Sequence, residues 1–242
     1  MAIRFLQLFT ILLLILVLYH CIILYRNYDN IDWWKTKLKT VHDQLLMMMK
    51  RCIPLIEEAG IVYWMHCGTL LGAVRHRDFI PWDDDVDLVV IKDENFDRNI
   101  SILKTLLEKN NYVLLEKEFG YVIHHKLDEH TKYYGIDLFV HSIKGDTISG
   151  NEHCQRVWPT EFYYTDDVFP LVNMRLNSLE FKAPQKSRDA MKKMYGETSL
   201  KKAIIAIPHS GTRGTVSDMV IALPETIARQ IMKTLKVQVD IE

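Results

Sequence analysis

The sequence predicts an α+β domain preceded by one N-terminal transmembrane helix, and three observations carry that expectation. Residues 5–25, FLQLFTILLLILVLYHCIILY, are uncharged and overwhelmingly apolar, close to the roughly 20 residues a helix needs to cross a bilayer. Beyond them, segments with helical and with strand periodicity alternate, and strands dominate the middle. The 242 residues are 48% hydrophobic and 25% charged, the composition of one sizeable globular domain rather than a disordered, collagenous or disulfide-stapled chain.

The apolar run exceeds the usual core of a cleaved signal peptide, and bulky Tyr19, His20 and Cys21 follow where small residues would mark cleavage. An anchor over residues 1–26 is therefore expected, with a juxtamembrane stem over 27–39 that carries Trp33 and Trp34. Charge leaves the orientation open. Arg4 precedes the run, whereas Arg26, Lys35, Lys37 and Lys39 follow it.

From Lys35 to Glu58 apolar residues recur at helical spacing, with Pro54 predicting a kink. Met47, Met48 and Met49 fit core filler better than a soft-metal site. Gly60 ends this helix; IVYWMHC reads as a strand, GTLLGAVRH as a short helix, and DVDLVVI as a second, buried strand. Residues 93–110 then read as a helix, YVLLEKE and GYVIHHKL as strands joined at Gly120, and YGIDLFVHSI as another. Residues 151–177 show only an irregular, aromatic-rich signal, before LEFKAP and a helix from Gln185 to Tyr195. Residues 198–242 form a tail without a clear pattern. The triplet Asn99-Ile100-Ser101 is a weak glycosylation signal.

The net charge of −1 and a pI near 6.8 provide no basic field for nucleic acid, which is not an expected partner. Cys52, Cys67 and Cys154 lack CxxC spacing, so neither a zinc framework nor a disulfide scaffold is predicted. Chemistry concentrates instead in GTLLGAVRHRDFIPWDDDVDL, where Asp83, Asp84, Asp85 and Asp87 crowd ahead of an apolar run. Alternate residues of a strand share a face, so Asp85 and Asp87 project together with Val86 opposite. Two such carboxylates suit a hard divalent cation, Mg²⁺ or Mn²⁺, and Asp137, enclosed by Ile136 and Leu138, supplies a third ligand. Gly68 and Thr69 lie at a strand-to-helix junction fit to cradle phosphate, with Arg75 and His76 beyond them to neutralise charge. The competing reading of the aspartates is a solvated, helix-capping loop. His124 and His125 face opposite sides of their strand, and His66 and His141 read as satisfied structural histidines.

The stretch HCGTLLGAVRHRDFIPWDDDVDLVV closely resembles the LicD family, which has a nucleotidyltransferase fold and includes bacterial phosphocholine transferases, fukutin and fukutin-related protein. The likeness continues through GIDLFVHSI, DDVFPLVNMRLNSLEFKAP and KKMYG, covering a catalytic domain of about residues 40–197. It implies a mixed β-sheet flanked by helices and a metal-dependent transfer of a phospho-alcohol from a CDP-activated donor to a glycan hydroxyl, releasing CMP. By position it assigns Asp85, Asp87 and Asp137 to metal and catalysis and Gly68-Thr69 to the donor phosphates; where the attacking hydroxyl needs a side-chain base, Asp137 is the candidate, and metal coordination of the hydroxyl is the alternative. It also suggests a type II protein of the Golgi or endoplasmic reticulum membrane with a lumenal catalytic domain. Arg77 departs from the glycine of many relatives, adding charge and bulk beside the cleft. Two other readings are a glycosyltransferase that clamps a sugar nucleotide with a DxD motif and a catalytically idle membrane scaffold. Specificity is expected in the aromatic loop from Trp158 to Phe169.

Overall fold

The computed structural model describes residues 2–27, 31–126, 134–204 and 238–240. The N-terminal segment is helical, α1 (Ala2–Asn27), and α2 (Ile31–Glu58) follows. Among the described residues, however, no helix is long and apolar enough to cross a membrane. This overturns the expected transmembrane helix and the single-pass type II placement. Helix α2 begins at Ile31, within the residues expected as a stem, and contains Pro54.

Apolar side chains of α2 recur every three or four residues, and Leu38, Val41, Leu45, Met49, Cys52 and Ile56 form one buried stripe. Met48 and Met49 lie in the core, as expected, while Met47 points to solvent. The stripe contacts α4 (Phe96–Lys109), whose own buried face of Phe96, Ile100, Leu103 and Leu107 has the same spacing. Asn99 joins the two helices by donating its side-chain amide to the Gly60 carbonyl at 3.2 Å.

A seven-stranded mixed sheet organises the domain. Its central path runs β1 (Tyr63–Met65), β2 (Val86–Ile91), β5 (Ile136–Lys144), β4 (Gly120–His125) and β3 (Tyr112–Lys117) in spatial order. Off this path, β6 (Thr147–Gly150) pairs with β5, and β7 (Phe162–Tyr164) pairs with β6. The β2–β5 pair is parallel and the other pairings of this sheet are antiparallel. Strand β2 carries the near-continuous apolar run of a strand covered on both faces: Val86, Leu88, Val89, Val90 and Ile91 are all buried. The expected α+β class with a mixed sheet and flanking helices therefore holds apart from the membrane helix.

Differences are confined to short elements. Of IVYWMHC only three residues are strand, because His66 and Cys67 turn away into α3 (Cys67–His76). The irregular stretch 151–177 contains α5 (Glu152–Val157), β7, α6 (Thr165–Val168) and β8 (Val172–Leu176). Elements of three to six residues are too short for periodicity to register. Strand β8 forms a hairpin with β9 (Leu179–Ala183), and α7 (Ser187–Tyr195) packs on α3. Of the tail, β10 (Lys202–Ile204) pairs with β11 (Gln238–Asp240), and residues 205–237 lie outside the described residues.

Helix α3 stops at Arg77, which takes a left-handed conformation (φ 54°, ψ 26°) and donates its N–H to the Ala73 carbonyl. That explains why glycine suits this position: a Cβ is strained there and glycine's hydrogen is not. The Arg77 side chain is exposed and its carbonyl accepts from the Asn177 N–H at 2.7 Å, so its importance is to the backbone. Arg77→Gly is expected to raise unfolding stability by about 1 kcal/mol in urea titration with unchanged m-value.

Candidate functional site

Asp85 immediately precedes β2, Asp87 is the second residue of β2, and Asp137 is the second residue of β5. Parallel register sets Asp87 directly beside Asp137. Asp85, two residues before Asp87, shares its face, while Val86 between them is fully buried on the other side. Carboxylate oxygens of the three residues all lie within 4.8 Å of one another. The sequence had placed these three together, and the sheet brings them together. Asp83 and Asp84 extend the cluster around Asp85 with the same spacing limit.

The turn at residues 66–69 grips Asp87. Its backbone carbonyl accepts the His66 N–H at 2.9 Å, its N–H donates to the Thr69 hydroxyl at 2.9 Å, and its carboxylate accepts the Gly68 N–H at 3.2 Å. Gly68 suits this position for a further reason, since a larger residue would displace a carboxylate. A Cβ built there would lie 2.6 Å from an Asp83 carboxylate oxygen and 3.5 Å from one of Asp87. The expected phosphate-cradling pair thus reaches the carboxylates, but its polar groups point inward to Asp87, and Thr69 is 1% exposed.

Arg75 faces the cluster electrostatically through Asp83 and donates to the Ser199 carbonyl at 3.3 Å. Burial lowers its guanidinium to about 10, partly offset by Asp83, and it remains a cation at neutral pH. It supplies a positive charge beside Asp83. His76 differs: burial, and then the charges of Arg75 and Lys35, push it down to about 4. It is neutral at physiological pH and cannot neutralise phosphate there. His42, which sequence reasoning did not single out, is 2.8 Å from the Asp83 carbonyl and stacks on Phe79. No signal in the α2 periodicity marks it, because the contact spans distant segments.

Asp87 bears the electrostatic strain. Burial first, then Asp85, Asp137, Asp83 and Glu161, push its carboxyl well above the ordinary carboxylate range. Its side chain nevertheless retains some solvent exposure, so an ion has an approach. The chemistry of the donor set fits a hard divalent cation: oxygen ligands alone, with like charges that a cation would relieve.

The other singled-out histidines take separate roles. His124 lies 3.2 Å from the Tyr134 carbonyl and His125 meets the Tyr112 ring edge-on. His66 and His141 are buried with ring centroids 5.2 Å apart, and each has a buried ring nitrogen without a hydrogen-bond partner, His66 Nε2 and His141 Nδ1. They are not the fully satisfied structural histidines expected. In the aromatic loop, Trp158 packs on Phe139 and Tyr163 on Trp64, with Tyr163 fully buried.

Comparison with known proteins agrees with the resemblance seen in the motif. The LicD/FKTN/FKRP nucleotidyltransferase domain matches residues 60–186, more than half of the chain. An uncharacterised protein of Rickettsia prowazekii is 30% identical over 168 residues, covering 69% of this chain and 59% of that protein. The lipopolysaccharide cholinephosphotransferase LicD of Haemophilus influenzae is 52% identical over 40 residues, 16% of this chain and 15% of its own. Human ribitol 5-phosphate transferase FKRP is 58% identical over 36 residues, 15% of this chain and 7% of its own. The chain spans less than two thirds of the length of these relatives.

Asp87 binds its proton more tightly in the folded than in the unfolded chain. Its stabilising contribution is therefore present at and below its unfolded pKa and is lost as pH rises through the raised folded value. In chelator at pH 7.5, Asp87→Asn is expected to melt at a higher temperature than the parent, with the difference shrinking towards pH 4. Added Mn²⁺ should raise the melting temperature of the parent and leave the variant unmoved. Thermal denaturation followed by circular dichroism checks both signs.

Proposed function

The chain belongs to the LicD family, and from that premise we propose that it transfers a phospho-alcohol, such as phosphocholine or ribitol phosphate, from a CDP-activated donor to a glycan hydroxyl with release of CMP. One observation carries the reading: Asp85, Asp87 and Asp137 converge from β2, its preceding residue and β5, with carboxylate oxygens within 4.8 Å. The named relatives, a cholinephosphotransferase and a ribitol 5-phosphate transferase, support this class of transferred group.

In this reading Asp85, Asp87 and Asp137 hold Mg²⁺ or Mn²⁺. Such an ion, when bound, neutralises charge on the donor pyrophosphate and on the departing CMP. The chain's own residues supply placement. Gly68, Thr69 and the His66 N–H fix Asp87 by three hydrogen bonds, so its carboxylate direction is set before a donor arrives. Gly68 and Thr69 therefore serve the donor phosphates indirectly, by orienting Asp87. Arg75 places a positive charge beside Asp83 without entering the reaction. Asp137, part exposed and beside Asp87 in register, takes the proton of the attacking hydroxyl.

The test is CMP release by the purified chain with Mn²⁺ and mixed glycan acceptors, across CDP-choline, CDP-ribitol, CDP-glycerol and UDP-sugars. Release from one CDP donor is expected, falling on the order of 100-fold or more in Asp137→Asn. Release of UMP or UDP from a UDP-sugar, with none of CMP from any CDP donor, would overturn the assignment.

A further inference from the structure

A second cluster begins within the same 66–69 turn, and its side chains, unlike the His66 backbone N–H, play no part in the transfer described above. His66 and Cys67 leave β1, and Glu161 arrives from the residue just before β7. A His66 ring nitrogen, the Cys67 sulfur and a Glu161 carboxylate oxygen all lie within 4.8 Å of one another. His66 is fully buried and Cys67 is 6% exposed. His66 Nε2 sits 3.8 Å from a Glu161 oxygen, too far for a hydrogen bond, and has no hydrogen-bond partner.

We propose that His66, Cys67 and Glu161 form a cation site for a zinc-class divalent ion, separate from the three-aspartate site. Nitrogen, sulfur and oxygen together are a donor set for a borderline-soft ion, whereas the aspartates offer only hard oxygen. Two ligands at about 2.0–2.1 Å from a tetrahedral ion stand roughly 3.3–3.5 Å apart. The observed 3.8 Å between His66 and Glu161 needs a closure of only a few tenths of an ångström.

The surroundings suit this ion. The other ring nitrogen of His66, Nδ1, is 2.7 Å from the Tyr163 hydroxyl. A proton on Nδ1 directed at that oxygen leaves the Nε2 lone pair facing Glu161, the outer contact that orients a metal-bound imidazole. Burial and then His141 hold the His66 ring in the neutral form. Cys67 is in hydrogen-bonding contact with Glu161 and Tyr195. On binding, a metal–sulfur bond forms as the thiol proton leaves to solvent, and no electrons are exchanged. Two ligand charges, thiolate and carboxylate, then balance the 2+ ion, giving a neutral group where a net charge would be costly beside Asp87. The ion would clip the segment entering β7 to the junction of β1 and α3, at the first two residues of the turn that holds Asp87.

Cobalt tests this without any transferase substrate. Co²⁺ is titrated into the full, chelator-stripped chain at pH 7.5 while the near-ultraviolet thiolate-to-cobalt charge-transfer band is recorded, and Zn²⁺ is then added to displace it. The band is expected in the parent and in Asp87→Asn, at one equivalent, and its loss is expected in Cys67→Ser. Glu161→Gln keeps the side-chain shape and is expected to weaken Co²⁺ binding tenfold or more. Absence of the band from the folded parent, its persistence in Cys67→Ser, or unchanged affinity in Glu161→Gln would overturn the proposal. The band in Asp87→Asn separates this site from the aspartates, so its outcome is independent of the CMP-release assay.

Discussion

Three hydrogen bonds between the 66–69 turn and Asp87 hold the rest of the site in place. A strand carboxylate normally swings about its own side-chain torsions; here its backbone is tied on both sides and one of its oxygens is tied to Gly68. Because the turn opens α3, the helix cannot shift without dragging Asp87. Because Asp87 lies on β2, which is paired on both sides, the turn cannot shift without straining the sheet. The preference for glycine follows, since a larger residue at position 68 would have to push the Asp83 carboxylate aside.

This rigidity opposes strong repulsion. Asp83, Asp85 and Asp137 all raise the cost of ionising Asp87, and Arg75 compensates chiefly at Asp83. The fold therefore spends stability to keep a concentrated negative site, a pattern more economical for function than for folding. Arg77 shows a second local concession, a side chain kept where the backbone favours glycine.

The sequence made part of this legible. Period-two alternation was enough to put Asp85 and Asp87 on one face, and apolar neighbours on both sides singled out Asp137. The spacing of Leu38 through Ile56 announced α2, and that of Phe96 through Leu107 announced α4. What alternation cannot reveal is which strands pair, so the side-by-side placement of Asp87 and Asp137 had to come from the sheet. Nor does a glycine-threonine pair declare whether its N–H and hydroxyl face outward or, as here, into a neighbouring aspartate. His66, Cys67 and Glu161 were missed as a group because metal-site spacing rules apply to local motifs, and Glu161 belongs to a remote segment. The apolar run of residues 5–25 misled for the opposite reason: composition alone implied a span that the described helix does not support.

The parallel pairing of β2 with β5 also makes the site a long-range construction. Parallel strands cannot be joined by a tight turn, and the connection between these two contains α4 and the β3–β4 hairpin. The carboxylates therefore do not exist as a cluster in the unfolded chain or in any local fragment of it; they meet only when a long-range closure is complete. A register error of one residue would turn the Asp137 side chain to the opposite face of the sheet. In the proposed reading, cation affinity at the three aspartates would therefore report the finished sheet and not an earlier compact arrangement.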